Sequence, residues 1–131
     1  MALTRELTEL ACRYATYAEL GSTVAMRELE RSVCGCDYGS TRWTTRVEAE
    51  RIAQLLGLRP AARLLDLGAG SGWPGLYLAQ LTGCDVVVMD LPLAALRIAR
   101  ERATADGLSP HARLLQRTVR PSLSRRLHST C

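Results

Sequence analysis

The sequence predicts an α/β domain built on a short parallel sheet of about three strands with crossover helices, preceded by a helical extension. Three observations carry this. Two short apolar runs, Ala62–Leu67 and Asp85–Met89, lie about twenty residues apart and are bounded by Gly and Pro, as buried strands are. The stretch between them opens on a glycine cluster and continues as an Ala/Leu-rich segment of helical character. The first fifty-odd residues instead show only the three-and-four spacing of helices.

Taken in order, Leu3, Leu7, Leu10, Ala11, Tyr14, Tyr17 and Ala18 form one apolar stripe, which predicts a helix over about 3–20. Gly21-Ser22-Thr23 breaks it, and Ser22 or Thr23 is placed to cap a second helix running to about Val33. Cys34 to Arg42 reads as a loop. Thr45-Arg46-Val47-Glu48 fits a capping box, so a third helix is expected to about Leu56, with Gly57 ending it and Pro60 preventing its return. The strand to Leu67 then runs into Gly68-Ala69-Gly70-Ser71-Gly72, a turn that demands special backbone angles or close packing. Pro74 suits the start of a helix over about 74–82, which Gly83 closes. Asp85 to Asp90 is a β-branched strand, Leu93 to Asp106 a helix stopped by Gly107, and His111 to Gln116 a weaker third strand. The division expected is 1–59 as helical extension or lid, 60–118 as nucleotide-binding half-sheet, and 119–131 as a basic, irregular tail.

Composition sets the bounds. A chain of 131 residues with 47% hydrophobic and 23% charged residues is one globular domain at most. It contains no apolar run of the roughly 20 residues that a spanning helix needs. The N-terminus is acidic within a few residues and unlike a secretory signal, so the cytoplasm is the expected location. The five cysteines are scattered and fit a reducing compartment better than a disulfide scaffold. Cys34 and Cys36 are the only close pair, and no second Cys/His cluster follows at zinc spacing, so no metal is expected. Every basic residue is Arg. From Gly107 onward there are five arginines and no acid, against 12 arginines and 13 acids before it. Without interleaved aromatics this basic end does not make a nucleic-acid partner the expectation.

The chemistry gathers where the strands end. In an open parallel sheet, ligands sit beyond the carboxyl ends of the strands. Asp66 ends the first strand, Asp90 ends the second, and the glycine turn lies between them. Asp90 follows Gly70 by 20 residues, the offset at which an acid takes the ribose hydroxyls of a bound nucleotide. The local alternatives are plain turn chemistry for Asp66 and the glycines, and an N-cap or Asp-x-Pro turn for Asp90. Gly70-Ser71-Gly72-Trp73-Pro74-Gly75 formally matches the dinucleotide pattern G-x-G-x-x-G, but the strand ends ahead of its first glycine. An acid at Asp66 would oppose the phosphates of NAD and suit a ligand bearing an ammonium and a sulfonium.

Leu64-Leu65-Asp66-Leu67-Gly68-Ala69-Gly70-Ser71-Gly72 resembles the first motif of class I (Rossmann-like) S-adenosylmethionine-dependent methyltransferases, and Val86-Val87-Val88-Met89-Asp90 resembles their second. The resemblance covers about residues 60–106. It implies S-adenosyl-L-methionine as cofactor, with Asp66, Gly68, Ala69, Gly70 and Gly72 around its methionine part, Asp90 on the ribose and Leu91 against the adenine. It implies in-line methyl transfer to an acceptor, a small molecule or a protein, for which no general base stands out. The helices before residue 59, and the loop with Asp37, Tyr38, Gly39, Trp43 and Thr44, loosely resemble the lid of such enzymes; Tyr38 and Trp43 are equally readable as packing residues. The expected acid after the third strand is missing at Gln116-Arg117-Thr118, and no further strand pattern follows. The expectation is therefore an incomplete Rossmann-like sheet, truncated or frame-altered after about residue 112, with weak activity or none unless self-association or a partner covers the open sheet edge. A non-catalytic remnant and an NAD-binding fragment are the competing readings.

Overall fold

A computed structural model describes residues 5–39 and 44–117. Three helices come first: α1 (Arg5–Gly21), α2 (Val24–Cys34) and α3 (Arg46–Leu55). Strand and helix then alternate as β1 (Arg63–Leu67), α4 (Gly75–Thr82), β2 (Asp85–Asp90), α5 (Leu93–Ala105) and β3 (Ala112–Gln116). The tail expected over 119–131 lies outside the described residues.

The sheet is parallel throughout, in the order β1-β2-β3, with Leu64 opposite Val86 and Val86 opposite Ala112. One face carries Leu64, Val86, Val88, Ala112 and Leu114, and joins the core with Leu76 and Ala79 of α4 and with Leu96, Ala99 and Ala103 of α5. Val86, Val88 and Leu76 are fully buried. Truncating such a side chain to Ala removes about 2–5 kcal/mol of stability. This layer of helix on strand is what fixes the carboxyl ends of β1 and β2 side by side.

The opposite face is only partly covered by the described residues. Leu65 and Leu67 are 54% and 50% exposed, although they alternate with core residues on the same strand. Among the described residues β1 pairs only with β2. The third strand pairs along its whole length with β2, from Ala112 to Gln116.

Local signals explain most of the boundaries. The capping box at α3 is present: Glu48 N–H donates to Thr45 Oγ1 at 3.2 Å, and Thr45 N–H donates to the Glu48 carboxylate at 2.8 Å. Gly83 ends α4 in the left-handed region, φ 73°. One cap departs from expectation. Thr23 sits at the N-cap of α2 but makes no side-chain cap bond; its hydroxyl donates back to Leu20 O at 2.8 Å, and Ser22 Oγ donates to Glu19 O at 2.7 Å. Both hydroxyls therefore close α1 rather than open α2, because the unpaired carbonyls of a helix end lie within their reach.

Candidate cofactor site

The site grows from the crossing of the glycine turn over the end of β2. Gly68 N–H and Ala69 N–H both donate to Met89 O, at 2.8 and 3.2 Å. Gly68, Gly70 and Gly72 all have positive φ, which lets the turn fold back on itself without side-chain strain. A β-carbon at Gly72 would also run into the Leu76 side chain, so the turn packs as tightly as it bends.

Asp90 locks this arrangement. Its Oδ2 accepts from Gly70 N–H at 2.6 Å and its Oδ1 from Leu91 N–H at 2.7 Å. The N-cap of α5 is Pro92, so Asp90 does not cap that helix. A carboxylate has about four lone-pair sites. Two are taken by the backbone, which leaves one on each oxygen for a further donor.

Beside this turn lies a cavity of about 660 Å³, of a size usual for a small-molecule site. Gly68, Ala69, Gly70 and Ser71 form its floor, and Met89, Asp90, Leu91 and Pro92 its flank. Leu7, Leu10, Tyr14 and Tyr17 of α1 face it from the other side, with Gly39 between α2 and α3. Ser71 is only 5% exposed, lines this cavity, and its hydroxyl has no hydrogen-bond partner. A buried orphan hydroxyl is costly unless a ligand or water completes it. The turn, the free lone pairs on Asp90 and the Ser71 hydroxyl thus suit a ligand rich in polar groups at one end.

Five of the seven residues expected at the site line the cavity: Gly68, Ala69, Gly70, Asp90 and Leu91. Asp66 and Gly72 do not line it. Asp66 turns toward α4, where its Oδ2 accepts from Gly75 N–H at 3.0 Å, and a β-carbon on Gly75 would collide with it. There it satisfies an orphan donor at a helix N-terminus, where the dipole favours negative charge. In this position the Asp66 Oδ2 serves α4, and the residue is not among those that line the cavity. Geometry gives it a structural duty: holding α4 against β1.

Sequence reasoning missed Ser71, Arg117 and the α1 wall. Arg117 lines the cavity and its N–H donates to Asp90 O at 3.0 Å, while Gln116 Nε2 donates to Leu91 O at 2.9 Å. The apolar stripe of α1 was legible, but a stripe facing a cavity has the same period as one facing a core; only the 47% and 49% exposure of Tyr14 and Tyr17 separates them. Of the lid loop, Tyr38 is a packing residue, its ring centroid 5.0 Å from that of Trp73. Trp73 Nε1–H donates to Thr44 O at 2.9 Å. Asp37 pairs with Arg27 at 2.6 Å and Arg31 at 3.1 Å. Burial opposes its ionisation, but the Arg27 hydrogen bond and the charges of Arg27, Arg31 and Arg102 hold its carboxyl below the usual range. Trp43 lies outside the described residues.

The remaining titratable groups stand apart from this chemistry. His111 Nδ1 pairs with Asp85 at 2.8 Å, at the opposite end of β2 from the cavity. His128 lies outside the described residues. Cys36 is driven up to about 12, by burial first and then by the Glu30 charge, so its thiol stays protonated.

A parallel sheet with a ligand cavity over a glycine turn defines the nucleotide-binding α/β class. Residues 64–126 match the family model described as a methyltransferase domain. Over this stretch the chain is similar to S-adenosylmethionine-dependent methyltransferases, and its sheet matches part of their Rossmann-like fold. It is 39% identical over 69 residues to 24-methylenesterol C-methyltransferase 2 of Oryza sativa subsp. japonica, covering 53% of this chain and 19% of that protein. It is 39% identical over 59 residues to glycine/sarcosine/dimethylglycine N-methyltransferase of Actinopolyspora halophila, covering 45% of this chain and 10% of the relative. A solved methyltransferase from Thiobacillus denitrificans, in complex with S-adenosyl-L-homocysteine, superposes with TM-score 0.52 at 29% identity, over 56% of this chain and 29% of its own. The chain therefore spans less than a third of each of these proteins. The family match and the pairing of β3 both run past residue 112, which corrects the expectation that the family pattern stops there.

Proposed function

We propose that the chain binds S-adenosyl-L-methionine in the cavity over the glycine turn and serves methyl transfer from it. One observation carries the reading: Asp90 lines the cavity while locked to Gly70 and Leu91, and each of its oxygens keeps acceptor capacity for a ribose hydroxyl. The orphan Ser71 hydroxyl and the backbone from Gly68 to Gly70 supply polar partners for the cofactor's methionine end. Leu91, held by the Gln116 side chain, packs against the adenine.

When bound, the cofactor supplies a methyl activated by its sulfonium, so the protein is left to position and to exclude water. The turn orients the methionine end, Asp90 sets the ribose, and the α1 wall of Leu7, Leu10, Tyr14 and Tyr17 shields the cavity from solvent. No general base is assigned; His111 pairs with Asp85 at the far end of β2 from the cavity. The acceptor is unassigned as well: two relatives of equal identity are, by name, a C- and an N-methyltransferase.

Residues 1–59 act in this reading as the lid of the 60–118 half-sheet. Full activity requires the half-exposed Leu65 and Leu67, and the edge of β1 away from β2, to be covered by further polypeptide, a second copy or a partner. The cytoplasm is the proposed location, supported by the unpaired Cys12, Cys34, Cys36 and Cys84. Among the described residues no helix is long and apolar enough to cross a membrane.

Calorimetric titration with S-adenosylhomocysteine and, separately, with NAD tests the proposal. Saturable binding of the first and none of the second is expected. Binding of NAD alone would replace the reading with a dinucleotide site.

A further inference from the structure

We infer that Glu30 is a positioning residue for the cofactor cavity, its buried carboxylate tethering the strap of residues 36–39 so that the strap walls the cavity and braces the glycine turn. The inference rests on the proposed function for its ligand, but its geometry stands independently.

Glu30 lies on α2 and is 4% exposed, an unusual place for a carboxylate. Burying that charge costs free energy unless donors surround it, and residues 36–39 supply such donors. Oε2 accepts from Tyr38 N–H at 2.9 Å and from Gly39 N–H at 2.7 Å, and Oε1 accepts from the Cys36 thiol at 3.5 Å. The strap held in this way reaches the site twice. Gly39 lines the cavity and presses against the end of α1, where a β-carbon would stand 2.9 Å from Gly21 O. Tyr38 packs against Trp73, the residue that follows Gly72 in the glycine turn, with the two rings tilted by 51°. Trp73 is gripped from beyond the strap as well, through Thr44 O. Release of the tether would let Gly39 leave the wall and Tyr38 leave the back of the turn, with the residues of the glycine turn and Asp90 unchanged.

Three variants in a Trp43→Phe background, where Trp73 is the single tryptophan, test the tether. Glu30→Gln keeps an amide oxygen for the two N–H donors. Glu30→Leu keeps the volume and orphans both. Gly39→Ala displaces the strap while leaving Glu30 in place. Affinity for S-adenosylhomocysteine is read by calorimetry well below each melting temperature, and Trp73 emission is read alongside it. Glu30→Gln is expected within roughly threefold of the parent, and Glu30→Leu and Gly39→Ala weaker by at least about tenfold, the equivalent of one lost charge-assisted hydrogen bond. The two weak variants should also show red-shifted Trp73 emission as the indole meets water. If Glu30→Leu fails to fold, Gly39→Ala and Glu30→Gln carry the test. Parent-like affinity in Glu30→Leu or in Gly39→Ala would overturn the inference, as would a Glu30→Gln variant as weak as Glu30→Leu, which would assign the effect to charge rather than to the tether. If the parent itself fails to bind S-adenosylhomocysteine, the proposed function falls, while the Trp73 emission shift still decides whether Glu30 holds the strap.

Discussion

Replacing Asp90 with Asn separates the two duties assigned to its carboxylate. In the parent, Oδ2 and Oδ1 accept from Gly70 and Leu91 N–H at 2.6 and 2.7 Å. The amide keeps one acceptor oxygen and sets an NH2 group against the other backbone N–H. One charge-assisted bond is lost and another becomes neutral, and a hydrogen bond to a charged group is worth about 1.5–3 kcal/mol. The site is only partly buried, so a destabilisation near the lower end, about 1.5 kcal/mol, is expected. For the cofactor the loss is separate: an asparagine cannot accept from both ribose hydroxyls while also holding Gly70 or Leu91. Losing one such acceptor weakens S-adenosylhomocysteine about 10- to 150-fold at 1.4 kcal/mol per decade. Calorimetry on parent and variant, with S-adenosylhomocysteine and with an analogue lacking both ribose hydroxyls, isolates the contact. The parent should discriminate strongly between the two ligands and Asp90→Asn weakly. Equal discrimination by both proteins would refute the ribose contact and leave Asp90 as a tie between turn and strand.

Other substitutions and conditions test the frame around the cavity. Gly75→Ala drives a β-carbon into the Asp66 carboxylate, so it should destabilise by about 1–3 kcal/mol, read as a lowered urea midpoint with unchanged slope. Asp37 has its folded-state pKa below its ordinary 3.8, so its contribution is complete above that value and is lost as pH falls through the depressed folded pKa. Acid titration with and without Asp37→Asn, both in the Trp43→Phe background and followed by Trp73 emission, should show the extra acid-sensitivity only where Asp37 is kept. In a Cys131→Ser background, iodoacetamide at mildly alkaline pH should modify the exposed Cys12 and spare Cys34, Cys36 and Cys84 until the protein is unfolded, as mass spectrometry would show.

The elements that local chemistry determines were readable in advance. The β-branched run Asp85–Asp90, the Thr45/Glu48 box and the stops at Gly83 and Gly107 lie where the chain pattern puts them, because each depends on neighbours within a turn or a strand. What depends on direction was not readable. Asp66 occupies the expected place at the end of β1, but its Oδ2 takes the N–H of Gly75 at the start of α4, and nothing in the sequence foretells that partner. Glu30 looks like one more charged residue on a helix. Its partners at Tyr38 and Gly39 are eight and nine residues away, across a chain reversal that no periodicity reveals. Arg117 was visible as the missing acid after the third strand; its place in the cavity emerged only with the pairing of β3 to β2.

Amide chemical-shift mapping with S-adenosylhomocysteine tests the central claim most directly. Saturable shifts should be largest at Gly68, Ala69, Gly70, Ser71 and Leu91, with smaller ones on the α1 wall at Tyr14 and Tyr17. Shifts gathered elsewhere, such as on the sheet face at Leu65 and Leu115, or no saturable change at any concentration reached, would contradict it.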